Sequence, residues 1–136
     1  MDNRCTSQKN MTLILGIYYI VISIIVTLFQ LALAFGAPLG KYANGGKFPG
    51  SLPKNMRFLP FIQIAILWFF LYIVLIKTEM IGNHPNAIGS IGIWFVVFFF
   101  FLGSIMNLIT PSKPERMVWG PVNVLTFIGV LFIAIL

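Results

Sequence analysis

Four long apolar runs constrain the fold of this 136-residue chain more than any other feature. A helix that crosses a bilayer needs about 20 predominantly apolar residues, and four segments meet this requirement: 11–36, 58–76, 88–110 and 118–136. Hydrocarbon offers the backbone no hydrogen-bond partners, so each run must bond internally or join a closed barrel. The runs lack the alternation of barrel strands. The sequence therefore predicts four transmembrane helices.

The charge content excludes several classes of protein. Charged residues make up 9% of the chain, whereas an ordinary soluble domain carries roughly 25%. A soluble enzyme, a disordered tail and a coiled coil are excluded, and residues 1–136 are expected to form one integral membrane domain. The lone Cys5 cannot form an internal disulfide or a CxxC pair, which argues against a thiol–disulfide oxidoreductase.

Glycines and prolines mark the ends of the runs. Gly36 and Pro38 end the first, Pro111 and Pro114 end the third, and Pro121 fits the first turn of the fourth. The connections are short, which makes consecutive helices antiparallel neighbours. We therefore expect an all-α membrane protein, an antiparallel four-transmembrane-helix bundle with a Gly/Pro-rich loop between helices 1 and 2.

The basic residues predict an orientation. Three lie on the side of the termini, namely Arg4, Lys9 and Lys77, and six lie in the first and third loops, namely Lys41, Lys47, Lys54, Arg57, Lys113 and Arg116. The positive-inside rule places the six in the cytoplasm and both termini outside the cell membrane. Because the basic residues lie in short loops between apolar runs, we expect an anionic lipid surface and not nucleic acid as their partner. Each contributes about 1 kcal/mol near such a surface. The first run is longer than the roughly 7–15 residues of a signal-peptide core, so we expect its helix to be retained.

No Asp, Glu, Lys, Arg or His lies deep inside any of the four runs. Proton-coupled pumps and exporters commonly use such a residue as carrier, and metalloenzymes need clustered His or carboxylate ligands. The chain has three acidic residues and one histidine, His84, which falls in a loop. We therefore expect no metal, no cofactor and no chemistry within the bilayer.

Each run does contain a carboxamide close to its basic end: Gln30, Gln63, Asn107 and Asn123. At 1.5 Å per residue, all four fall within about 5–9 Å of the helix ends on that side, and antiparallel packing brings them to one layer. One interpretation is hydrogen bonding between helices. The other is the floor of a polar pocket for an anionic head group or small anion, ringed by Lys41, Arg57, Lys113 and Arg116.

Small and polar residues also follow helical spacing, in stripes through Gly16, Ser23 and Ala34 in the first run and Gly103 and Ser104 in the third. Small residues let helices approach closely in lipid. The stripes therefore suggest a homo-oligomer or a larger membrane complex.

Two patterns lie at the basic end. One is Gly-Ala-Pro-x-Gly over 36–40, followed by Gly-Gly over 45–46 and Leu-Pro over 52–53. The other is Asn-x-Ile-Thr-Pro-Ser-x-x-Glu-Arg over 107–116, followed by Trp-Gly-Pro over 119–121. Together they resemble a family of small bacterial four-helix integral membrane proteins without an assigned activity. The resemblance implies this fold and a shared site at that face, and transfers no catalytic role.

Two further residues of this end have local interpretations. Glu115 near the start of the fourth helix suits the helix dipole by about 0.3–1 kcal/mol, and the alternative is a salt bridge to Lys41 or Arg57 across the loops. Trp119 suits the interfacial belt of aromatic residues.

The leading interpretation is a non-enzymatic scaffold, accessory subunit or lipid-contacting protein. A transporter that binds a polar or anionic ligand at the amide layer is the alternative, followed by a membrane enzyme acting on a lipid head group. The candidate ligand-binding residues are Gln30, Lys41, Arg57, Gln63, Asn107, Lys113, Glu115, Arg116, Trp119 and Asn123.

Overall fold

The computed structural model describes residues 3–82 and 86–136. Within these residues the chain forms four α-helices and no strand: α1 (Asn3–Ala34), α2 (Leu59–Lys77), α3 (Ala87–Ile109) and α4 (Lys113–Ile135). All four are long and apolar enough to cross a membrane. The predicted fold class is confirmed, and the chain is a multi-pass membrane protein. The predicted loop position of His84 lies outside the described residues.

Helix α1 begins at Asn3, eight residues before the predicted start at 11. Residues 3–15 contain neither glycine nor proline, so nothing interrupts the helix before the apolar run. The added residues 3–10 are exposed and polar. They extend the helix by about 12 Å beyond the apolar run.

Helix α4 begins at Lys113, five residues before the predicted 118. Ser112 is its N-cap and accepts a hydrogen bond from the backbone N–H of Glu115 at 3.4 Å. Pro114 occupies the first turn, where its missing N–H is harmless. The prediction that Pro121 fits the first turn is therefore wrong, since Pro121 lies inside α4 and removes one helical hydrogen bond.

The apolar core takes one nearly inaccessible residue from each helix: Tyr19, Val74, Val96 and Val130, each at most 1% exposed. The Tyr19 ring packs edge-on against Phe100, with 5.9 Å between centroids. By helical rise these residues lie about 20–25 Å from the loops between α1 and α2 and between α3 and α4. The core therefore occupies the half of the bundle away from these loops.

Small residues pack against the chain's own helices. An added Cβ on Gly89 of α3 would lie 2.9 Å from the Ile76 side chain of α2. One on Gly103 would lie 3.3 Å from Oδ1 of Asn123 in α4. Gly16, Ser23 and Ala34 of α1 are likewise buried. The small-residue stripes thus serve packing within the chain, and oligomerisation through them stays a prediction.

Candidate functional site

The cap, defined as residues 35–58 between α1 and α2, doubles back tightly at Gly40. Its N–H donates to the carbonyl oxygen of Gly50 at 3.0 Å. A Cβ at position 40 would lie 1.7 Å from the backbone oxygen of Phe48 and 2.4 Å from that of Gly50. Only glycine fits between these two carbonyl groups, so the cap depends on this residue. The end of the bundle that carries the cap is called the cap end below.

Arg57, which lies just before α2, contacts Gly36, which lies just after α1. Its Nε donates to the carbonyl oxygen of Leu52 at 2.9 Å, and Leu52 is only 1% exposed. The guanidinium lies over Gly36, where an added Cβ would be 3.1 Å from Nη2. Gly36 has a φ of +92°, which favours glycine. Arg57, predicted to ring a ligand pocket, thus has a structural contact in the cap.

Glu115 joins the cap to the turn between α3 and α4. Its Oε2 accepts the backbone N–H of Gly45 at 2.9 Å and the hydroxyl of Thr110 at 2.8 Å. Gly45 has a φ of +70°, a backbone conformation that favours glycine. The hydrogen bond from this residue to Glu115 therefore also depends on a glycine at position 45. Among residues 3–82 and 86–136 Glu115 forms no ion pair. The predicted salt bridge to Lys41 or Arg57 is therefore wrong, because a backbone N–H of the cap takes the place of a cation.

The hydroxyl of Ser112 makes a second link, donating to the carbonyl oxygen of Lys41. Thr110, Ser112 and Gly45 were not identified as site residues from the sequence. The spacing Ser112-x-x-Glu115 is that of a capping box and could have revealed the cap residue. In a capping box the glutamate accepts the N-cap N–H, but here that N–H lies 3.4 Å from the Thr110 hydroxyl. The Glu115 carboxylate instead accepts the hydrogen bond from Gly45 in the cap.

Most basic side chains of the cap end are exposed. Lys41 and Lys47 lie over the rings of Tyr42 and Phe48, with Nζ 5.2 Å and 5.7 Å from the centroids. Lys113 is exposed at the start of α4. Six basic residues and Glu115 give this end a formal charge of +5, out of +6 for the whole chain.

The side chain of Arg116, a residue of α4, lies at the C-terminal end of α3. Its Nη1 donates to the carbonyl oxygen of Thr110 at 3.1 Å, which satisfies one of the free carbonyl groups at the helix C-terminus. The side chain is exposed. Arg116 thus places a positive charge at the C-terminus of α3, at the cap end of the bundle.

Three of the four amides share a helix face, by spacing, with a buried core residue. Eleven residues make about three helical turns, and this spacing separates each amide from a core residue: Gln30 from Tyr19, Gln63 from Val74, and Asn107 from Val96. The core residues are at most 1% exposed, yet Gln30 and Asn107 are only half-buried and Gln63 is exposed. These three amide positions are therefore more open than the core residues on the same helix faces.

The hydrogen bonds of the two asparagines stay within their own helices. Nδ2 of Asn107 donates to the Gly103 carbonyl at 2.8 Å, and Nδ2 of Asn123 donates to the Trp119 carbonyl at 2.9 Å. Gln30 and Gln63 form no hydrogen bond with any residue that the structure describes. The amides do not bridge helices by hydrogen bonds in this part of the chain, and ligand binding by them stays a prediction.

Trp119 contributes to packing between α1 and α4. Its ring meets Phe29 with 4.9 Å between centroids and an interplanar angle of 61°. The side chain is half-buried. This contact closes the α1–α4 side of the cap end, while a place in the interfacial belt stays a prediction.

Comparisons with protein-family models, with curated proteins and with solved structures gave no match. The resemblance to small bacterial four-helix proteins therefore stays a prediction. Among the described residues no group of three or more His, Cys, Asp or Glu side chains is placed to hold a metal ion.

Proposed function

We propose that the protein is a non-enzymatic, lipid-contacting membrane scaffold whose basic cap binds anionic head groups at the cytoplasmic face of the cell membrane. The supporting observation is the engagement of Glu115. This acidic residue of the cap end is bonded to Gly45 and Thr110. Among the described residues, the six basic residues of this end therefore have no acidic partner, and anionic lipid supplies the missing charge.

The surroundings of these cations support a position at the membrane surface. Five of the six basic side chains are exposed, and Arg57 is half-buried. Phe35 and Phe58, at the two ends of the cap, are 78% and 56% exposed. Aromatic rings inserted among acyl chains hold a surface segment in place while lysines contact head groups. The cap thus combines apolar anchors with positive charge.

The binding proposal is tested by removing charge at the cap end. Lysine to glutamine changes at Lys41, Lys47 and Lys113 are expected to abolish enrichment of anionic lipid around the protein, since each lysine contributes about 1 kcal/mol. The measurement is the ratio of phosphatidylglycerol to phosphatidylcholine co-extracted from mixed vesicles. Matched changes at Lys9 and Lys77, at the other end, should leave the ratio unchanged. Equal enrichment by all three proteins would contradict the proposal.

The orientation is tested by reporters at the C-terminus. With the cap in the cytoplasm, a C-terminal alkaline phosphatase fusion in a bacterial host is expected to be active, whereas a green fluorescent protein fusion is expected to be dark. The opposite pair of results would place the cap outside and end the cytoplasmic proposal. An N-terminal fusion provides the control, because four spans put both termini on one side.

The transport alternative has one supporting feature, the amides of Gln30 and Gln63, which form no hydrogen bond with any described residue. A transported polar solute also needs a polar route through the other half of the bundle. That half is filled by the apolar core residues Val74, Val96 and Val130, each at most 1% exposed. The lipid-contacting function therefore fits the geometry better.

A further inference from the structure

A groove of about 380 Å³ lies between α2 and α3, in the half of the bundle away from the cap. Ile73 and Gly92 form its floor, Phe69 and Phe95 stand on its two sides, and Ala87 lies at its outer end. Every side chain that lines the groove is apolar. The volume falls within the range of ligand pockets, about 300–1,000 Å³.

The groove is closed at its floor and open to the surrounding lipid. An added Cβ on Gly92 would lie 3.1 Å from the Ile73 side chain, and Ile73 is only 3% exposed. Phe69 and Phe95 are 59% and 67% exposed. The two helices are therefore packed together behind the groove, while the phenylalanine rings at its sides face outward.

The length of the groove matches one leaflet of a bilayer. Ala87 and Phe95 are eight residues apart on α3, which is about 12 Å along the helix. The hydrocarbon of a bilayer is about 30 Å thick, so one leaflet supplies about 15 Å of it. A second transmembrane helix would need a contact over the full thickness. The groove therefore fits an acyl chain of the leaflet away from the cap.

Lys77 lies at the outer end of the groove. Phe69, Ile73 and Lys77 follow one another at intervals of four residues, so they share one face of α2. The contact with α3 continues to this level, because a Cβ on Gly89 would lie 3.2 Å from the backbone nitrogen of Lys77. Lys77 is the last residue of α2, is half-buried, and forms no ion pair with any residue that the structure describes. A lysine at the end of an apolar helix extends its ammonium group to the membrane surface, where the phosphate groups of lipids lie.

We propose that the α2–α3 groove holds one acyl chain of a phospholipid from the leaflet away from the cap, with the phosphate of that lipid beside Lys77. The acyl chain packs on Ile73 and Gly92 between the rings of Phe69 and Phe95, and the Lys77 ammonium group donates to the phosphate oxygens. Phosphate is common to phosphatidylglycerol and phosphatidylcholine, so this site does not choose between them, unlike the basic cap. It is a second lipid contact, in the opposite leaflet, and it does not depend on the cap.

The test is retention of phosphatidylcholine by the protein after reconstitution in vesicles of that lipid and extraction with detergent, measured by native mass spectrometry. The unchanged protein is expected to retain one lipid. Ala87→Trp fills the outer end of the groove and is expected to weaken retention roughly tenfold, the equivalent of about 1.4 kcal/mol. Lys77→Gln removes the ammonium group and is expected to weaken it about fivefold, the equivalent of about 1 kcal/mol.

Two changes at the same end but outside the groove are the matched controls. Ile135→Trp adds the same ring at the end of α4, where Ile135 is 66% exposed, and Lys9→Gln removes a cation from α1. Both proteins should retain the lipid as the unchanged protein does. If Ala87→Trp loses helical circular dichroism, Phe95→Ala decides instead, because it removes one side of the groove and adds no bulk.

Retention by Ala87→Trp and Phe95→Ala equal to that of the unchanged protein would overturn the inference. A dimer that carries no lipid and that Ala87→Trp dissociates would also overturn it, because a second copy would then fill the groove. The protein with Lys41, Lys47 and Lys113 changed to glutamine separates the two proposals. It should lose the preference for phosphatidylglycerol and still retain one phosphatidylcholine, whereas loss of both signals would overturn the groove and leave the cap proposal standing.

Discussion

Replacing Gly40 with alanine is expected to lower the free energy of unfolding by about 4 kcal/mol, at the upper end for single substitutions. The added Cβ would lie 1.7 Å from the Phe48 carbonyl oxygen, and neither this group nor the Gly50 carbonyl can move without opening the cap. The measurement is unfolding in mixed micelles of increasing dodecyl sulfate content. Trypsin cleavage after Lys41 and Lys47 provides a local readout and should become faster.

The control for this change is Gly50→Ala. Nothing lies within 4 Å of a Cβ added at Gly50, so the expected effect is within about 0.5 kcal/mol. Equal stability and equal tryptic cleavage of the two variants would contradict the described path of the cap.

Replacing Glu115 with alanine is expected to cost about 3 kcal/mol. The change removes two charge-assisted hydrogen bonds and leaves the Gly45 N–H and the Thr110 hydroxyl without their acceptor. Glu115→Gln keeps a carbonyl oxygen of the same reach and should cost about 1 kcal/mol. Unfolding gives the global effect, and faster hydrogen exchange at the Gly45 amide gives the local one.

Glu79→Gln is the control for the loss of a negative charge. Glu79 is exposed beyond the end of α2, away from the cap, and its change should fall within about 0.5 kcal/mol. If Glu115→Ala and Glu79→Gln had the same effect, general charge and not the bond to Gly45 would explain the role of Glu115.

The four spans and the level of three of the amides were predictable because lipid imposes simple rules. Asn123 lies ten residues into α4, about 15 Å from its start and not within the predicted range of about 5–9 Å, because the helix begins at Lys113. Each run of about 20 apolar residues must become a helix, and short connections fix the antiparallel order. Gln30, Gln63 and Asn107 then fall at one end by helical rise alone. That prediction needs no knowledge of which neighbours the side chains meet.

The burial of individual positions of α2 could not be predicted, since this helix is apolar on nearly all sides and its sequence gives no lipid-facing or core-facing stripe. Gln63 and Val74 share a face, and only the packing shows that one is exposed and the other buried. The hydrogen bond between Gly45 and Glu115 could not be predicted from the sequence either, because it depends on a left-handed backbone conformation at Gly45. The early start of α4 was signalled by Ser112-x-x-Glu115, but the prolines at 114 and 121 made a later start equally plausible.

The bond between Gly45 and Glu115 has a consequence for biosynthesis. The two residues are 70 positions apart, so the cap emerges from the ribosome long before its carboxylate partner. The cap is therefore made before the residue that fastens it to α4. Only synthesis of the α3–α4 turn and the first turn of α4 supplies Glu115, so the bond that holds Gly45 forms later than the contacts within the cap.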